Sequence, residues 1–372
     1  MEGLMSFLTL VLESNDVLVE RKDGGRIEAL LPRDIATSLG IREYQTFCFD
    51  SQEAHSDDLV VTYDSDLIDR LSVLLDRKGQ LSQIILPGAF IRRDRAEESL
   101  RKRLVLNNAV YRIKDFEEKR VAYRVFNLKY TAISDEKRED IITIIINEAT
   151  LSFPEEMLEV IGPYLREGQE PNESVQIPSS RPIEEVYRMA LSVLRRKIGE
   201  ELSDFERSMN RRLKKDILRL EDYYETIKEE IRQKIAKKNL EGEHRKAEES
   251  RLKATEVELE RRIKDQIEKY SVKVESKLIN ALRVIVPSAL FNVELQRKKE
   301  KREVKIGYNP LLKKIEYLSC EGCLARGCYL CDDLHVLCQR CFFKCPGCEK
   351  TLCRVCYPDS CPRCKGTIDS GL

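Results

Sequence analysis

The chain has 372 residues, long enough for two or three compact units that each bury a core of their own. Lys and Arg number 65, as do Asp and Glu, so the net charge is zero and the overall balance does not steer the chain toward polyanions. Charged residues make up 35% of it, against roughly 25% in an ordinary globular domain, a surplus that points to long solvated helical surface.

The opening MEGLMSFLTLVLESND carries Glu2 where a secretory signal would carry Lys or Arg, and no small-residue cleavage site follows. It reads as the first strand or helix of a fold. Strand-like alternation follows in DVLVERKDGGRIEALL, and YDSDLIDRLSVLLDRKG reads as a helix that Ser65 or Asp66 caps and Gly79 ends. AVYRIKDFEEKRVAYRVFNLKYTAIS and EDIITIIINEA, rich in Val, Ile, Tyr and Phe, add further strands. Residues 1–165 therefore predict an α+β N-terminal domain. Pro, Ser, Glu and Gly cluster over 166–182, the composition of a linker.

Beyond Pro182 the apolar residues step by three and four. Ile198, Leu202, Phe205, Met209, Leu213, Ile217, Leu220, Tyr224, Ile227, Ile231 and Ile235 form one stripe; Leu259, Ile263, Ile267, Tyr270, Val274, Leu278, Leu282 and Ile285 form a second. Both have a mean step of about 3.7, which predicts long coiled-coil-like helices packed nearly straight over 183–286. KKNLEGEHRKAEES between them, with Gly242, suits the turn of an antiparallel helical hairpin, while sevenfold spacing of Leu240, Ala247 and Ala254 also tolerates one continuous rod. The same stripes would serve a homodimer. Residues 287–318 alternate like a β-hairpin and deliver the chain to a Cys-rich domain at 319–372.

That tail holds twelve of the thirteen cysteines, arranged as six C-x2-C pairs: Cys320/Cys323, Cys328/Cys331, Cys338/Cys341, Cys345/Cys348, Cys353/Cys356 and Cys361/Cys364. Each pair can offer two thiolates from a tight turn, and tetrahedral zinc takes four, so twelve ligands predict three structural zinc ions. Gly322, Gly347 and the prolines of CPGC and CPRC suit such turns. Neighbouring knuckles lie too close to fold around one ion, so an interleaved pairing is preferred: 320/323 with 338/341, 345/348 with 361/364, and 328/331 with 353/356. Large apolar residues are few here, and metal binding is expected to take the place of a hydrophobic core. Three four-thiolate sites would shift the charge of residues 313–372 from +2 to about −4, a poor phosphate binder. A chain dense in cysteine without an export signal suits a reducing, cytoplasmic setting.

The tail resembles multi-zinc ribbon, treble-clef and RING-type modules. Cys320, Cys323, Cys331, His335, Cys338, Cys341, Cys345 and Cys348 follow the RING order of three Cys, a His and further Cys pairs, with seven residues between Cys323 and Cys331 and three between Cys341 and Cys345, both shorter than the family's usual gaps. The resemblance implies a ubiquitin-type ligase, and using His335 would leave Cys328 without a site.

No GxxxxGK[ST], GxGxxG or HExxH stretch occurs, and three histidines give general-base chemistry few candidates. The reading is a non-enzymatic adaptor or scaffold. A helical spacer of ~85 Å would hold the α+β N-terminal domain apart from a three-zinc recognition module, with a protein as the expected partner. Nucleic acid is the alternative partner, through Arg297, Lys298, Lys299, Lys301, Arg302 and Lys305 with stacking from Phe342, Phe343 or Tyr357. No membrane span is expected, since the apolar runs fall far short of about 18 residues.

Overall fold

The computed structural model describes residues 2–22, 25–76, 81–87, 90–166, 178–237 and 241–368. The chain divides into two compact units, Met1–Gln80 and Leu81–Leu372, a boundary inside the stretch expected to be one α+β domain. The reason is that the strands after residue 110 pair with strands lying beyond the long helices rather than with those before residue 80.

In the first unit, α1 (Glu2–Glu13) precedes β1 (Leu18–Lys22), β2 (Arg26–Leu30), α2 (Arg33–Leu39), β3 (Tyr44–Cys48), β4 (Leu59–Val60) and α3 (Asp66–Asp76). The opening run is a helix because Leu4, Leu8, Val11 and Leu12 share one face at helical spacing, and that face is buried. The sheet runs β1-β2-β3-β4, with β4 parallel to β3. Its core gathers Leu8, Leu12, Ile27, Leu39, Phe47 and Leu71. The expected helix end at Gly79 lies outside the described residues.

The second unit continues with β5 (Leu81–Ile85), α4 (Arg93–Arg103), β6 (Val110–Ile133), β7 (Lys137–Asn147), α5 (Met157–Arg166), α6 (Ile183–Lys237), α7 (Gly242–Tyr270), β8 (Lys273–Arg297), β9 (Glu300–Asn309) and β10 (Lys314–Ile315). Most of the expected linker at 166–182, residues 167–177, lies outside the described residues. One sheet has the order β10-β9-β8-β6-β7, with β5 parallel against β8. The antiparallel β6–β8 pair runs from Val110↔Gln296 to Ile133↔Lys273 and is its spine.

Helix was expected as far as residue 286, but α7 stops at Tyr270 and residues 273–297 are strand. Val274, Leu278, Leu282 and Ile285 fit a helical period by coincidence. What decides the matter is a ladder of 23 residue pairs to β6, with β5 and β9 on the other side. Pro287, anticipated as a stop, sits inside β8. It falls between the last β5 pair, Ile285, and the first β9 pair, Ala289, where that edge changes partners and a missing N–H is tolerated.

Only part of α6 stands clear of the sheet. Val186, Ala190, Val193, Leu194, Ile198, Leu202, Phe205 and Met209 are buried against Phe126, Leu128, Ile142, Ile144 and Ile146 of β6 and β7. The Arg138 guanidinium lies 4.4 Å over the Phe205 ring. Beyond Met209, α6 pairs with α7 as an antiparallel hairpin: Lys234 meets Glu248 near the turn, and at the root Tyr270 donates to Asp216 at 2.7 Å. The stretch Asn210–Lys237 reaches ~42 Å, half the expected span. Ile231 is buried in this seam while Leu218 is 60% exposed. Ile231→Val is therefore expected to cost about 1 kcal/mol in urea unfolding and Leu218→Ala to stay within about 0.5 kcal/mol. A continuous rod would leave both neutral. No helix among the described residues is long and apolar enough to cross a membrane.

Candidate metal centre

The tail folds through two small hairpins, β11 (Tyr329–Leu330) with β12 (Val336–Leu337), and β13 (Phe342–Lys344) with β14 (Thr351–Cys353). Three of its C-x2-C pairs form the same turn. The N–H groups of Leu324, Glu349 and Lys365 donate back to the carbonyls of Cys320, Cys345 and Cys361 at 2.8, 2.9 and 2.9 Å. The N–H groups of those cysteines donate forward to Ala325, Lys350 and Gly366. The left-handed position of each turn is the residue after the second cysteine, Leu324 (φ 63°), Glu349 (φ 56°) and Lys365 (φ 56°), none of them glycine. Gly322 serves another need: a Cβ there would stand 3.0 Å from Cys341 Sγ. Main-chain N–H groups at Cys364 and Arg363 bring the Cys361 thiol down to about 6, whereas burial pushes Cys320 up to about 11.

These turns assemble three groups of four donors, each group within 4.8 Å: Cys320, Cys323, Cys338 and Cys341; Cys331, His335, Cys353 and Cys356; and Cys345, Cys348, Cys361 and Cys364. Cys323 and Cys338 sulfurs are 3.4 Å apart, Cys331 and Cys356 3.8 Å, Cys345 and Cys364 3.6 Å, Cys348 and Cys361 3.6 Å. A tetrahedral ion with ~2.3 Å bonds to sulfur sets its donors about 3.8 Å apart, so the residues fit such an ion. Each group could hold one metal ion.

The second group differs from the four-cysteine site expected there. Cys328 is outside all three groups, and His335 Nδ1 takes its place at 3.4 Å from Cys331 Sγ and 3.3 Å from Cys356 Sγ. The register of the β11–β12 hairpin is the cause. Tyr329↔Leu337 and Leu330↔Val336 are paired, so the closing pair of this hairpin is Cys331 and His335. Cys328 precedes the strand, with its N–H bonded to Leu337 O, and stays outside that closure. Two apolar pairs flanking Asp332-Asp333 were the sequence signal for this turn. With a neutral imidazole the filled second site carries −1 rather than −2, leaving residues 313–372 near −3. His55 and His244 are exposed and join no group.

The first two groups are not a separate bead. Leu330, Leu334 and Val336 complete a core with Leu100 of α4 and with Phe291, Val293, Leu295 and Ile306 of the sheet. The third group sits on a small cluster of Leu352, Ile368 and Phe343, while the first two groups share one built on Leu337 with Tyr329, Phe342 and Val355. The Asn108 side chain acts as a strand for β11, donating to Leu330 O at 3.0 Å and accepting from Leu330 N at 2.9 Å. Asn108→Ala is expected to cost about 1–3 kcal/mol in urea unfolding, since both Leu330 groups lose their partner.

The basic run has carboxylate partners. Asp332 accepts from Arg297 at 3.1 Å and Lys298 at 2.8 Å, and these cations, Lys298 foremost, hold it below the usual carboxylate range. Arg297 also lies 5.5 Å over Phe342. Lys301 pairs with Glu294, and Arg302 bonds Glu321 at 2.6 Å and Leu334 O at 3.0 Å. Lys299 and Lys305 are exposed, with no ion pair among the described residues. Half of this run, Arg297, Lys298 and Arg302, fastens the tail to the sheet.

Sequence reasoning missed a buried carboxylate at the entrance to the tail. Glu316, 5% exposed, accepts from Tyr123 OH at 2.5 Å, Asn147 Nδ2 at 2.8 Å, Thr150 Oγ1 at 3.2 Å and Ser152 Oγ. Gly307 makes room for it: a Cβ there would stand 2.9 Å from Glu316 Oε2.

The chain matches no known protein-family model, and a search of curated proteins returns no significant match. The three Cys/His groups remain consistent with ribbon-like metal modules.

Proposed function

We propose that the chain is a non-enzymatic, zinc-stapled adaptor in a reducing compartment. The observation that carries the reading is that each of the three groups supplies four protein donors, which closes a tetrahedral ion and leaves no open position for substrate or water. Zinc fits best because soft thiolates with an imidazole in four-coordinate geometry suit it. The helical hairpin and the third lobe are the parts that reach away from the shared core, and protein partners would engage them. Zinc content near three per chain is expected on elemental analysis. Affinity capture with the full chain and with Cys345→Ser/Cys361→Ser tests the role: partners lost with the third lobe support it, and an unchanged partner set removes it.

A RING-like ligase is the second reading, favoured by ligand order. Cys320, Cys323, Cys331, His335, Cys338, Cys341, Cys353 and Cys356 run three Cys, a His and four Cys, and the two groups they form alternate along the chain. Self-modification in the presence of conjugating enzymes decides between the readings. For nucleic acid, the ion pairs of Arg297, Lys298, Lys301 and Arg302 leave little free charge.

A further inference from the structure

A cavity of about 740 Å³ lies along β9, between the start of α6 and the first knuckle of the tail. It falls in the ~300–1,000 Å³ range of ligand pockets. Its wall on the α6 side includes Arg181, Pro182 and Met189, and on the tail side Ser319, Glu321 and Val336. Between them runs the outer edge of β9, which β10 covers only at Tyr308 and Asn309.

Main-chain geometry shows what that edge offers. Glu316 N donates to Gly307 O at 2.8 Å, so Gly307 turns its carbonyl away from β8. Alternation along an antiparallel strand then turns the N–H and C=O of Lys305 and Glu303 outward as well. Among the described residues no strand pairs with them there. The ladder begun at Gly307 thus stops at two unpaired rungs inside a walled cleft, closed at its far end by Arg302 reaching to Glu321 and Leu334 O. From Gly307 to Glu303 the edge spans ~14 Å, the length of four or five extended residues.

The side chains state the charge of the occupant. Glu303 and Lys305 both line the cavity, and neither has an ion pair among the described residues. Charged edges repel an indiscriminate neighbour. An alternating pair instead selects a strand with the complementary order, because cross-strand neighbours of opposite charge attract and like charges repel.

We propose that this edge of β9 takes an extended peptide segment from a partner protein, which adds a strand and sets a basic residue opposite Glu303 and an acidic residue, two positions away, opposite Lys305. The proposal rests on the adaptor reading and names its partner chemistry: main-chain hydrogen bonds hold the segment and two charges select it.

The test pans the full-length, zinc-loaded chain against displayed random nine-residue segments. Enrichment of one charge order with a single intervening residue is expected, and Glu303→Lys with Lys305→Glu should enrich the reverse order. On the unaltered chain, N-methylation of alternate amides of a selected peptide should weaken binding at least tenfold, a readout that does not depend on the variant folding. No enrichment, an order unchanged by the swap, or indifference to N-methylation at every amide overturns the proposal. Partner capture that still depends on the third lobe would show the adaptor reading standing without it.

Discussion

His335→Ala is expected to lower the bound metal from three ions to two under a competing chelator, and Cys328→Ser to leave three. The spacing of six C-x2-C pairs would assign the reverse, so metal counting with a chromophoric chelator separates register from spacing. His335 supplies the only nitrogen of its group, and its ring stands within 4.0 Å of Cys331, Cys353 and Cys356. Without it three thiolates keep an incomplete shell. Structural zinc supplies on the order of 10 kcal/mol of linked folding free energy in model peptides, so the tail should be strongly destabilised around the second group. Cys328 is outside all three groups, and its main chain bonds Asn107 and Leu337, bonds that serine can keep. A Cys328→Ser protein that loses an ion would refute the assignment of His335.

Gly307→Ala is expected to be the most damaging single-methyl change in the sheet. The added carbon would meet Glu316 Oε2 at 2.9 Å and Asn147 Nδ2 at 3.2 Å, both of them buried residues. Overpacking costs about 1–3 kcal/mol, and a carboxylate pushed off its donors becomes an uncompensated buried charge, worth roughly 3–5 kcal/mol. Glu316→Gln is milder, about 1–3 kcal/mol, because its amide would face Tyr123, Asn147 and Ser152, all donors. Burial raises the Glu316 carboxyl above its ordinary 4.5, and the bonds from Ser152, Tyr123, Asn147 and Thr150 offset only part of that. An acid whose folded value exceeds its unfolded one binds its proton more tightly when folded. Its contribution is fully present below pH 4.5 and is lost as pH rises through the folded value. Urea unfolding between pH 4 and 8 should show this decline in the parent chain and not in Glu316→Gln. An identical pH dependence in both would refute it.

What could be read from the sequence was local. The donors of the first and third groups sit in repeated turns of fixed spacing, and the interleaved pairs 320/323 with 338/341 and 345/348 with 361/364 follow from the length of chain between them. α6 ends at Lys237 and α7 begins at Gly242, where the apolar stripe weakens. What could not be read depends on residues far apart in the chain. Residues 273–286 carry an apolar pattern that both helix and strand accept, and β6, some 150 residues earlier, decides it. The choice of His335 over Cys328 depends on the register of the β11–β12 hairpin, which closes on Cys331 and His335. Tyr123, Asn147, Asn309 and Glu316 meet in one hydrogen-bonded cluster, and no pattern in any one segment marks them. Half of α6 proved to be a core helix because β6 and β7 present it with a buried face.

The β6–β8 pairing also sets the order in which the chain can mature. Val110 must find Gln296, and Ile133 must find Lys273, so β6 leaves the ribosome well before its partner exists. At 5–20 residues per second that delay is ~10–30 s. During it the nascent sheet has one long edge bare, the condition in which chains aggregate. The helical hairpin shortens the search. Its two arms fold locally and fast, and by returning the chain to the level of Asp216 they place Lys273 near Ile133, ready to zip.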